Sequence, residues 1–206
     1  MRSTRAILIW AALAAAVGVP IAAAAVSPLL EWRDSVYIAA CFAGIVALGF
    51  MLVQPMLIGG YLPGLPAHRG RHAHLWIGGM LVAAGGIHVG GPWVHKPPGG
   101  GRALLFTSPT PFSAWGVIAM WALFATALLA ALRRRLRVRP RTWRLAHAAL
   151  AVVIVVGTVV HSLLIEGTME MMSKVALCAL VLAATIKVVS DLRVWRKRST
   201  VRSEAP

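Results

Sequence analysis

Two histidine pairs constrain this chain more than any other feature: His74 with His88, and His147 with His161. Each pair is fourteen residues apart, and each lies in a run apolar enough to sit in a bilayer. A helix turns about 100° per residue, so fourteen residues return to within about 40° of the same face, about 21 Å further along. Each run therefore carries two imidazoles on one stripe at two depths. Ionisable groups at such depths are expensive and point to function.

Composition sets the surroundings of those runs. Of 206 residues, 59% are hydrophobic and 13% charged, the balance of a membrane protein. The net charge of +15 does not indicate nucleic-acid binding, because the basic residues fall in short loops between apolar runs of about twenty. Cys41 and Cys178 lie inside apolar runs and read as small buried hydrophobes rather than a disulfide. There is no CxxCH, which excludes covalent c-type haem attachment.

Six apolar spans follow one another, at roughly 7–30, 36–58, 73–93, 111–132, 143–165 and 171–192. Each is near the length a helix needs to cross about 30 Å of hydrocarbon. The first resembles a signal peptide in its basic start and Ala-rich end. Its apolar length, running on to Leu30, favours an uncleaved helix. In the second, Gln54–Pro55 marks either a kink or the helix end before the GGYLPGLP turn. His68 and His72 read as solvated residues of a basic loop, HRGRHAH. The third span holds three glycine pairs, Gly78–Gly79, Gly85–Gly86 and Gly90–Gly91, which suit close approach of another helix or a flat cofactor. Pro92 is expected to interrupt this helix, leaving His95 at the surface near the outer mouth. Trp115 and Trp121 read as interface or packing residues of the fourth span. Met169, Met171 and Met172, at the start of the sixth, could offer thioether ligands but read as packing or interface contacts. Lys174 and Lys187 can snorkel to the two surfaces.

The arginines orient the spans. With the N-terminus inside, the inner segments hold 17 of the 21 Lys and Arg, seven of them in 133–144. The positive-inside rule then places both termini in the cytoplasm. His74 and His147 come near the cytoplasmic face, and His88 and His161 near the outer face. Helices three and five facing each other form two cross-helix pairs, His74 with His147 and His88 with His161. Neutral imidazole is the metal-ligating form. Two imidazoles on opposite sides of one haem fill both axial positions, which favours electron transfer over oxygen binding. Arg71, Arg141 or Arg144 can meet the propionates of an inner haem, and Lys96 or Arg102 those of an outer one. The rival reading is a metal or proton transporter that uses the same histidines.

These features resemble a known family. Six spans, His-x13-His on spans three and five, and a basic loop leading into WRLAH are similar to the ferric reductase-like transmembrane domain. That family includes the membrane parts of NADPH oxidases and iron reductases, and the bacterial haem subunit of the methionine sulfoxide reductase system. The resemblance covers about 35–192. It implies an all-α, six-transmembrane helix bundle with two b-haems between helices three and five, held by His74 and His147 (inner) and His88 and His161 (outer). Arg71 and Arg144 are the further cofactor contacts expected. Residues 1–192 form the haem-binding domain, and 193–206 a basic cytoplasmic tail. The expected activity is one-electron transfer to an outer acceptor: ferric iron, a metal chelate, a quinone or a periplasmic partner protein. The sequence has no GxGxxG and no flavin domain, so the expected donor is a separate flavoprotein, reductase or membrane quinol. The expected location is the plasma membrane.

Overall fold

The computed structural model describes residues 2–95, 102 and 106–192. Six long helices carry these residues: α1 (Arg2–Ala25), α2 (Ser35–Gly59), α3 (Ala67–His95), α4 (Pro111–Leu132), α5 (Pro140–Leu164) and α6 (Met171–Asp191). All six are long and apolar enough to cross a membrane. The expected tail, 193–206, lies outside the described residues.

Helix ends follow local chemistry. Asp34 caps α2, its carboxylate accepting from Tyr37 N at 3.0 Å. Pro111 and Pro140 open α4 and α5, where a missing N–H costs no hydrogen bond. Gly60 ends α2 with φ of 69°, a left-handed position that glycine adopts without strain.

Several boundaries differ from expectation. The first apolar span splits: α1 ends at Ala25, and Pro28–Leu30 forms a short 3-10 turn capped by Ser27. Pro55 neither ends nor breaks α2, which continues to Gly59. The HRGRHAH segment is not a loop, because α3 starts at Ala67 and includes all of it. Polar residues continue a helix once it clears the headgroup level, so apolar length alone under-reads such ends. α5 likewise begins at Pro140, which puts Arg141 and Arg144 on its first turns. Pro92 removes one backbone donor, yet α3 runs on to His95.

α2 and α3 pack as one antiparallel hairpin, and α4 and α5 as a second. α6 packs against both hairpins, touching α2 and α5. Its Leu177, Cys178 and Val181 are the largest fully buried side chains among the described residues, and they join Leu48, Leu52, Ile154 and Val155 in one core. α1 lies on the outside against α2 and α6. There Val17 comes so close to Gly49 that an added Cβ would meet it at 2.9 Å. α3 touches α4, but α3 and α5 are not among the closely packed pairs. The two histidine-bearing helices thus face each other across a gap. Many of the remaining apolar side chains point outward, among them Trp76, Ile87, Trp121, Leu128 and Ile186. A lipid-facing surface has this character.

Candidate functional site

The gap between α3 and α5 is bridged at two levels by facing imidazoles. The rings of His74 and His147 have centroids 6.0 Å apart with planes at 66°. Those of His88 and His161 are 6.1 Å apart at 81°. The two pairs expected from the fourteen-residue spacing are therefore both brought together. His68 and His72 are not: both are exposed on α3, and His72 Nε2 accepts from Trp76 Nε1 at 2.9 Å. The side chain of His95 and all of Lys96 lie outside the described residues.

The His88–His161 end is held symmetrically. His88 Nδ1 donates to the Ala40 carbonyl on α2 at 2.8 Å. His161 Nδ1 donates to the Phe112 carbonyl on α4 at 2.9 Å. Each bond fixes the tautomer and leaves Nε2 unprotonated and able to ligate, the arrangement that orients histidines in metal sites. One turn beyond each carbonyl stands a glycine. A Cβ on Gly44 would lie 2.7 Å from His88 Nδ1, and one on Gly116 2.7 Å from His161 Nδ1. No side chain fits at either position, so glycine makes room for each imidazole. The two hairpins therefore repeat a single device. His74 to His147 and His88 to His161 are both 73 positions, and R-x-A-H recurs at 71–74 and 144–147.

A cavity of about 460 Å³ opens at this end. Its wall includes His88, His161, Leu48, Leu81, Met120 and Ile154. That volume lies in the usual range for small-molecule and cofactor sites. Cys41 and Gly85 also line it, and Cys41 is a free thiol. The glycine pairs of α3 divide their work. Gly78, Gly85 and Gly91 face Gln54, Leu123 and Ala40 closely, while Gly79, Gly86 and Gly90 face open space.

The His74–His147 end is built differently. Both Nδ1 atoms are buried and unpaired, as is Gln54 Oε1. Gln54 is fourteen residues along α2 from Ala40, which brings it level with His74, fourteen back from His88. A buried polar atom without a partner costs about 1–3 kcal/mol, so three at one level mark a site that a further group would complete. Trp143 stacks on the His147 ring, with centroids 5.0 Å apart. Arg71 and Arg144 are exposed, each three residues before its histidine and near the same helix face.

The spacing of both pairs fits one metal ion ligated from two sides. Two metal–imidazole bonds of about 2.0–2.1 Å separate ring centroids by roughly 6 Å. Among the described residues no cluster of three or more His, Cys, Asp or Glu forms, so each level offers two protein ligands. A metal carried in a macrocycle needs no more than that.

Three features gave no signal in the residue pattern, and a fourth, Lys174, gave a misleading one. The Ala40 and Phe112 carbonyls are backbone groups, invisible to residue type. Gly44 and Gly116 looked like ordinary small residues of apolar helices. Trp143 carried no assigned role. Lys174 was expected to snorkel, yet it is only 3% exposed.

Comparison with known proteins gives one match. A family model, the ferric reductase like transmembrane component, matches residues 39–158. The match runs from the second turn of α2 to three residues short of His161. No curated protein and no solved structure matches the chain.

Proposed function

Because the chain belongs to the ferric reductase-like transmembrane family, we propose that it is a membrane b-type cytochrome that carries single electrons across the bilayer. His74 and His147 would hold one haem, and His88 and His161 the other. The observation that carries the reading is the pair of facing imidazole couples, 6.0 and 6.1 Å between ring centroids, across a gap between α3 and α5.

When bound, a haem with two axial imidazoles supplies a one-electron centre closed to oxygen. The chain's own residues do the rest. The Ala40 and Phe112 carbonyls hold His88 and His161 with Nε2 free. Gly44 and Gly116 let those rings seat against α2 and α4. Leu48, Leu81 and Ile154 give the cavity apolar walls suited to a macrocycle. Arg71 and Arg144 supply guanidinium groups for propionates at the His74–His147 end. The two levels are about 21 Å apart along the helix axis, which divides the membrane crossing into shorter electron steps.

The basic ends of α3 and α5 face the cytoplasm under the positive-inside rule, so electrons enter at His74–His147 and leave at His88–His161. The donor is a separate flavoprotein, reductase or membrane quinol. The acceptor is ferric iron, a metal chelate, a quinone or a periplasmic partner protein. The rival metal-transport reading draws less support, since a bare metal ion needs more ligands than two histidines provide.

The test is haem content. His88→Ala and His161→Ala should each lose one haem and keep the other. Full haem content in both variants would overturn the ligand assignment.

A further inference from the structure

Lys174 stands where a lysine is out of place. It is in the first turn of α6, at the positive end of the helix dipole, where a cation is disfavoured. It is 3% exposed. Its Nζ donates one hydrogen bond, to the Ile165 carbonyl at 2.9 Å. Among the described residues no carboxylate lies within ion-pair distance of it. Glu170, one turn away, uses both carboxylate oxygens to cap α6, accepting from Met172 N and Ser173 N at 2.7 Å each. An ammonium removed from water and given one neutral acceptor is poorly compensated.

The side chain lines the same cavity as His88 and His161. Ile165, which takes its hydrogen bond, is one turn beyond His161. Thr168, 5% exposed, lines the cavity beside it. A buried cation, a helix N-terminus and an apolar chamber then converge on one place. Glu170 already answers the helix N-terminus, so the buried ammonium is the charge at that place that favours a further anion.

We propose that Lys174 is a carboxylate-binding residue of the His88–His161 cavity. Two sources carry that chemistry: a propionate of a tetrapyrrole seated between the histidines, or the carboxylate of a separate ligand, such as a metal chelate, entering the cavity. The first source rests on the cytochrome reading; the second does not. The sequence pattern had pointed to Lys96 and Arg102 for this task; among the described residues, Lys174 is the cation that the fold buries at the site.

The test uses the full chain in detergent, with Lys174→Gln and Lys174→Met as neutral variants and Lys174→Arg as the rescue. In one arm, uptake of haem is compared with uptake of haem dimethyl ester, which lacks carboxylates. A propionate contact predicts that the wild type prefers haem at the His88–His161 site by about tenfold. The neutral variants should bring the ratio near one, and Lys174→Arg should restore it. In the other arm, citrate and ferric citrate are added and thermal unfolding is followed. A ligand carboxylate predicts a saturable rise in melting temperature for the wild type and Lys174→Arg that the neutral variants lose. Dependence on Lys174 in either arm supports the proposal and identifies the source. Its absence from both overturns the proposal. If the neutral variants do not fold, the wild type alone decides: an equal preference for ester together with no citrate response overturns it. A chain that takes up no haem refutes the cytochrome reading, while the citrate arm still decides the role of Lys174.

Discussion

The indole of Trp143 lies stacked on the imidazole of His147, with ring centroids 5.0 Å apart and planes 29° from parallel. The same indole holds the guanidinium of Arg133, 5.0 Å from its ring. Arg133 and Trp143 belong to different helix ends, so the stack ties the turn after α4 to the start of α5. It also steadies an imidazole whose Nδ1 no hydrogen bond orients. His161 has the Phe112 carbonyl for that purpose; His147 has an aromatic plate.

Trp143→Ala should therefore loosen the His74–His147 level more than the other. Aromatic pairs contribute about 0.5–1.5 kcal/mol beyond their buried area. The expected result is a lower melting temperature and faster haem loss from that level, with Trp143→Phe restoring most of both. Spectral titration of haem release from each variant checks this. Equal loss from both levels would contradict a local role for the stack.

Gly44 and Gly116 carry a sharper prediction. An added methyl at either would sit 2.7 Å from a histidine Nδ1, inside van der Waals contact and in the path of its hydrogen bond. The ring must move or the helices must part, and overpacking of this kind costs about 1–3 kcal/mol. Gly44→Ala and Gly116→Ala should each displace the histidine on the neighbouring helix and lower haem content at the His88–His161 level alone. Gly79→Ala, facing open space, should leave haem content unchanged.

Much of this was legible in the sequence, for identifiable reasons. The spans stood out because crossing hydrocarbon demands length and apolarity together. The four histidines stood out because they are polar exceptions at a repeated helical interval. The helix ends were harder to read. Residues 67–72 and 140–142 are polar or basic, yet they continue α3 and α5 as helix. The carbonyls that hold His88 and His161 could not be seen, since every residue has one. Gln54 was noticed only for the proline beside it; its alignment with His74 depends on the antiparallel register of α2 and α3. Lys174 was misplaced because a lysine near a span end usually snorkels, and only the packing of α6 against two hairpins buries it.

Glu170 gives α6 a pH dependence. Its carboxylate accepts from Ser173 N and Met172 N, and those bonds hold its pKa below the ordinary 4.5. A depressed carboxylate adds stability that is fully present above its unfolded value and is lost as pH falls through its folded value. The start of α6 should thus loosen only in acid, below about pH 4.5. Glu170→Gln removes the charge and should flatten this part of the profile. Hydrogen exchange of the Met172 and Ser173 amides, followed from neutral pH downward, reads it directly. Equal acid sensitivity in the variant would rule out the cap as its source.

The central claim is that two histidine pairs each hold one haem. A reduced-minus-oxidised absorption spectrum of the purified chain, with haem quantified per chain, tests it most directly. The account predicts a b-type spectrum and about two haems per chain, one for each pair. A colourless protein, purified from cells with ample haem, would contradict it.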